Sequence, residues 1–141
     1  MAPVTVTTGE GYQTIAQTRT HTWQADETTE NGGKDSAPDP MELLMGALGS
    51  CIVITLHLYA NRKGWPLEKV AVELDIHKFN AAEYAAYQGD AQFVHEIKEQ
   101  VTLFGDQLTE DQRARLMDVS TKCPVRRVLS TPTFFVHPEQ A

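Results

Sequence analysis

The chain has 141 residues, 41% of them hydrophobic and 22% charged, with a formal net charge of −7. This size fits one domain with a modest core, and the acidity argues against non-specific nucleic-acid binding, leaving local basic sites such as Arg126-Arg127. The start, Met1 to Val6, lacks the basic and apolar regions of a secretory leader. The longest apolar stretch, around Leu43 to Ala60, is interrupted by Ser50, Thr55 and His57 and contains Gly46 and Gly49, so a buried helix, no membrane span and a cytoplasmic location are expected.

Residues 3–7 and 12–18 alternate or carry β-branched side chains and are separated by Gly9-Glu10-Gly11, which predicts a hairpin, with 20–25 as a third strand. The acidic stretch 26–39 contains Gly32-Gly33 and is long enough to be a functional or mobile loop. It has no strand–helix context for nucleotide binding. In Asp39-Pro40-Met41-Glu42, Asp39 fits a helix N-cap, Pro40 the first helical position, and Glu42 completes a capping box. That helix should run to Lys63 and stop at Gly64, with Pro66 following. It is apolar on most sides, so it belongs at the centre of the fold.

Residues 69–79 alternate with period two, placing Val70, Val72, Leu74 and Ile76 on one face. After a polar, alanine-rich connection at 80–91, residues 92–104 alternate again, with Phe93, His95, Ile97, Glu99, Val101 and Leu103 on one side. These two long strands should pair. Thr109 caps a second helix, with Leu108 as a staple and Leu116, Met117 and Val119 as its apolar positions. Pro124 ends or bends it, Val125–Leu129 is a short helical piece, and Thr133–His137 reads as a final strand. No repeat or linker interrupts 1–141, which reads as a single domain.

The two cysteines, Cys51 and Cys123, each sit in a dense local motif. In a reducing compartment such thiols are either buried packing or a reactive pair. A thiolate that attacks a peroxide becomes a sulfenic acid, and a second thiol condenses with it to a disulfide that an external dithiol reopens. The attacking thiol needs a cation or a helix N-terminus beside it. Cys51 lies about three turns into its helix, where the dipole has faded, so its activation must come from a side chain elsewhere. Cys123 precedes Pro124 and fits the cap of a short helix, so helix-end electrostatics alone make it the more acidic thiol. His57 lies about 240° round the helix from Cys51 and is no same-face base. The five histidines, His21, His57, His77, His95 and His137, show no metal-ligand spacing. Trp23 and Trp65 read as core or pocket wall.

The run from Pro40-Met41-Glu42-Leu43-Leu44 to Ala47-Leu48-Gly49-Ser50-Cys51 resembles the OsmC/Ohr family of osmotically inducible and organic-hydroperoxide-resistance proteins. So do Tyr59-Ala60, the segment Arg62-Lys63-Gly64-Trp65-Pro66-Leu67-Glu68, and Lys122-Cys123-Pro124-Val125. The likeness covers nearly the whole chain and is nearest the broad OsmC-like branch. It implies an α+β fold assembled as an intertwined homodimer, with two long central helices wrapped by antiparallel sheets from both chains. It also implies a thiol peroxidase for organic hydroperoxides and hydrogen peroxide that uses two cysteines, an external dithiol reductant, and no metal or bound cofactor. By the motif match Cys51 is the peroxide-attacking thiol, Cys123 the resolving thiol, and Glu42 the helix-start glutamate that helps hold a catalytic arginine. Arg19, the only arginine before Glu42, is the candidate for that arginine. Arg126 stands where many OsmC-like members have histidine.

Glu42 and Cys51 lie on opposite faces of one helix, roughly 13 Å apart along its axis. They meet only if two copies of the helix cross antiparallel, which the small residues Gly46, Ala47, Gly49 and Ser50 would permit. A shared site of this kind would hold a small hydroperoxide in an apolar pocket at the interface, with no nucleic acid or membrane as partner. Two other functions use the same fold: a non-catalytic dimer that binds a small apolar ligand, and a redox sensor.

Overall fold

The alternating residues at the N-terminus form an antiparallel three-stranded sheet in the order β1 (Thr5–Thr8), β2 (Thr14–Thr18), β3 (His21–Ala25). This is a computed structural model, and it describes residues 1–137. The predicted hairpin is present, closed by Gly9 N–H donating to the Gln13 carbonyl. Trp23 is 38% exposed on β3 and is not a core residue, because its neighbours on that strand, His21, Thr22 and Gln24, are exposed too and only Ala25 is buried.

The acidic loop that follows is tied down rather than loose. Asp26 is buried, and its carboxylate accepts from the Glu27 N–H (2.8 Å), the Ser36 N–H (3.1 Å) and the Ser36 hydroxyl (2.7 Å). The Gly33 N–H donates to the Thr28 carbonyl, and a Cβ at Gly33 would collide with the carbonyl of Glu27.

Helix α1 spans Pro40–Lys63, as its start and stop signals predict. Asp39 accepts from the N–H groups of Met41 (2.7 Å) and Glu42 (2.8 Å), and Glu42 accepts from the Asp39 N–H (2.9 Å), a reciprocal box. At the other end Gly64 adopts φ 66°, and the pair Gly64 N–H to Asn61 O and Trp65 N–H to Ala60 O closes the helix in a Schellman motif. By length and composition α1 is long and apolar enough to cross a membrane. Met1–Gly46 and the chain from Ala47 onward form two compact units, the division falling within this continuous helix.

In the second unit one stripe of α1 is core: Leu48, Ile52, Leu56 and Ala60 are each at most 1% exposed. The opposite side is open, with Ile54 57% and Leu58 60% exposed. Within this chain the helix is therefore covered along one side only. The covering surface is the two-stranded antiparallel sheet of β4 (Lys69–Asn80) and β5 (Phe93–Phe104), together with α2 (Glu110–Ser120). Register places Val70 opposite Leu103, Val72 opposite Val101, Leu74 opposite Glu99 and Ile76 opposite Ile97, all on the inner face. The expected face of β5 holds from Ile97 to Leu103 but not before, since Phe93 and His95 are exposed while Val94 and Glu96 are half-buried. The connection folds back over that other side, where the Tyr84 hydroxyl donates to Glu96 Oε2 (2.8 Å).

Thr109 caps α2 in a capping box with Gln112, and the staple residue Leu108 is buried. Leu116 and Val119 face the core as expected. Met117 is 41% exposed instead, because the helical repeat gives the next inward position to Ser120. Helix α3 covers Pro124–Ser130. No strand forms at 133–137. Phe134, Phe135 and Val136 are 84–90% exposed, and β-propensity without a neighbouring strand to pair with makes no ladder.

Candidate active site

The core of the second unit brings together two residues distant in sequence. Cys51 projects from α1 half-buried, and Cys123, fully buried, is the N-cap of α3. Cys123 belongs to the hydrophobic cluster built by Leu48, Ile52, Leu56, Leu116 and Val119, Cys51 packs against it, and both are free thiols. The placement follows from local rules. The inward stripe of α2 continues from Leu116 through Val119 and Ser120 to Cys123, and Pro124 then starts a new helix with Cys123 as its cap. Gly49, two residues before Cys51, faces the sheet: a Cβ there would lie 3.3 Å from Leu74 Cδ1. It lets α1 approach β4 closely. Gly46, Ala47 and Ser50 are exposed.

Cys123 is not the acidic thiol that its helix-end position suggests. Burial pushes its pKa up, and the neighbouring Cys51 thiol raises it further. The Arg126 N–H, which donates to Cys123 Sγ at 3.3 Å, and the charge of Arg126 only oppose this. Desolvation of a buried sulfur outweighs one backbone hydrogen bond, so Cys123 keeps its proton.

A charged pair from β5 and α3, not expected from the sequence, lies next to Cys123. Arg126 Nη2 donates to Glu99 Oε2 at 2.6 Å, with the Glu99 side chain only 14% exposed. The clue was present: Glu99 falls in phase with Ile97, Val101 and Leu103, where an apolar residue is expected. A cleft of about 260 Å³ is lined by Cys123 with Thr121, Ser130 and three cationic residues, Lys122, Arg126 and Arg127.

The other predicted residues lie in the first unit. Glu42 Oε2 accepts the Asp39 N–H in the helix cap. Arg19 is exposed at the two-residue turn between β2 and β3, with φ 51°, beside a cleft shared with Met1, Ala2, Val4 and Thr18. Among the described residues no carboxylate pairs with Arg19, and no group of three or more His, Cys, Asp or Glu side chains is arranged to hold a metal. The Tyr59–Trp65 segment has a structural role: Tyr59 meets Trp65 edge-on at 5.5 Å and accepts a hydrogen bond from Arg115 Nε at 3.0 Å, linking α1 to α2.

Comparison with solved structures agrees with this fold. A Psychrobacter arcticus 273-4 protein, provisionally described as an osmotic stress induced and detoxification response protein, superposes with TM-score 0.71 at 20% identity, over 99% of this chain and 90% of that one. An organic hydroperoxide resistance protein OsmC from Legionella pneumophila gives 0.65 at 15%, over 92% and 89%. The organic hydroperoxide resistance protein OhrB of Bacillus subtilis gives 0.60 at 13%, over 92% and 90%. No protein of curated function matches the sequence. Residues 33–137 match the family described as OsmC-like protein, and with that match spanning both cysteine motifs the chain belongs to the OsmC-like family.

Proposed function

We propose that this protein is a thiol-dependent peroxidase that reduces organic hydroperoxides through Cys51 and Cys123. The observation that carries the reading is the meeting of these two free thiols in one core, one half-buried and one fully buried. The names of the Legionella and Bacillus proteins, which refer to organic hydroperoxide resistance, support it. Cys51 is the more accessible sulfur and attacks the peroxide. The O–O bond breaks, the alcohol leaves with a proton, and Cys51 becomes a sulfenic acid. Cys123, held protonated alongside, condenses with it, forming the disulfide and releasing water. An external dithiol restores both thiols and is itself oxidised to a disulfide. These steps balance without a bound cofactor.

The working unit in this reading is a cytoplasmic homodimer. The open face of α1, with Ala47, Ser50, Ile54 and Leu58 exposed, supports a crossing of two such helices. An antiparallel crossing would bring Glu42 of one copy towards Cys51 of the other, with Arg19 as the guanidinium that Glu42 helps to hold.

The test is consumption of an organic hydroperoxide with a dithiol reductant. Cys51→Ser should abolish turnover. Cys123→Ser should slow turnover and, with the reductant left out, consume about one hydroperoxide per subunit and leave Cys51 as a sulfenic acid. Undiminished activity in Cys51→Ser would refute the reading.

A further inference from the structure

Glu99 lies on the core-facing side of β5, opposite Leu74 and between Ile97 and Val101. A carboxylate there is costly to bury without a partner. Its partner is Arg126, which comes three residues after Cys123 and whose own N–H reaches the Cys123 sulfur. One residue therefore connects the strand to the thiol through both its side chain and its main chain. The pair is only half-buried, and ion pairs drawn out of water contribute little net stability, so a role in setting position fits it better than a role in holding the fold.

We propose that Glu99 and Arg126 are a positioning pair for the two-cysteine couple, holding the Arg126 amide and guanidinium where the Cys123 sulfur takes up charge as it leaves a Cys51–Cys123 disulfide. This rests on the redox-pair reading above. Cys51 is half-buried and Cys123 fully buried, so an external dithiol meets the Cys51 sulfur first. Its thiolate attacks Cys51 Sγ, the S–S bond breaks, and the electron pair leaves on Cys123 Sγ. The second thiol of the reductant then releases Cys51 and closes the reductant's own disulfide, and the two protons of the dithiol end on the two cysteines. The rate depends on how well the leaving sulfur bears charge. Burial opposes that charge, and Arg126 favours it. The titratable and charged groups around Cys123 are Cys51 from α1, Lys122 before it, Arg126 and Arg127 from α3, and Glu99 from β5 through its guanidinium partner.

The experiment oxidises the full-length protein with diamide and follows reduction of its disulfide by dithiothreitol in wild type, Arg126→Gln, Arg126→Lys and Glu99→Gln. In parallel, the ionisation of Cys123 is followed by thiolate absorbance in the Cys51→Ser background, with and without Arg126→Gln and Glu99→Gln. Arg126→Gln should slow reduction about tenfold and raise the pH at which Cys123 ionises. Arg126→Lys should restore part of the rate by supplying a charge without the planar fork, and Glu99→Gln should slow reduction less than Arg126→Gln. Wild-type reduction rates with an unmoved Cys123 titration in both Gln variants would overturn the proposal. A merely structural role would lower the unfolding temperature and leave that titration in place, and would overturn it too. If diamide forms no disulfide, the redox-pair reading fails on its own, and the titration still decides whether Arg126 and Glu99 act on Cys123. Should Arg126→Gln fail to fold, Glu99→Gln, which keeps the side-chain shape, carries the same comparison.

Discussion

Asp26 and Cys123 have opposite surroundings. Hydrogen bonds donated to the Asp26 carboxylate, that of the Ser36 hydroxyl foremost, lower its pKa from 3.8 to about 2. A carboxyl depressed on folding adds stability that is fully present above pH 3.8 and is lost as pH falls through about 2. Asp26→Asn should therefore flatten the acid limb of the unfolding temperature against pH, and a wild-type-to-variant gap that stays constant across that window would refute this. Cys123, raised above its ordinary 9.0 by burial, has the opposite sign: its contribution is present below pH 9.0 and is lost as the buried thiol is forced to ionise at higher pH. Reading the local sequence alone reverses this residue, because a helix-end position speaks of hydrogen bonds and says nothing of desolvation.

Among the elements, α1 and the strand pair were the most legible. The start and stop of α1 lie in a few adjacent residues, Asp39, Glu42 and Gly64, whose conformational preferences act locally. The inner face of β4 follows directly from its alternation. The outer half of β5 does not, because which side is covered there depends on where Tyr84 folds back. Helix α2 allows a direct check of orientation. Leu116→Ala should cost about 2–5 kcal/mol in urea unfolding, while Met117→Ala, next to it but exposed, should cost less than about 1 kcal/mol. Equal losses would mean that the inward stripe of α2 is misplaced, and with it the route that delivers Cys123 to the core.

At the scale of the molecule, the open side of α1 is the feature that a single chain leaves unexplained. Ile54 and Leu58 are more than half exposed, and burying such a side chain is worth about 1.5–3 kcal/mol. In the proposed dimer they would be covered by the second copy. Leu58→Asp should then shift the sedimenting species from dimer to monomer without unfolding the chain. A wild-type protein that sediments as a monomer, or a dimer that survives the substitution, would sink the assembly and with it the sharing of Glu42 and Cys51 between copies.

The sequence by itself determined the family, the α+β class, the order and most boundaries of the elements, and the two cysteines as the residues to watch. These are local matters: caps, turn residues, periodicity and motif spacing act over a few positions. Tertiary structure alone decided that the Cys51 and Cys123 side chains meet in one core, that burial holds the proton on Cys123, and that Glu99 reaches across from β5 to Arg126. Each of these depends on surface removed from water by segments distant in the chain. It also decided that the tail at 133–137, strand-like by composition, forms no strand where it has nothing to pair with.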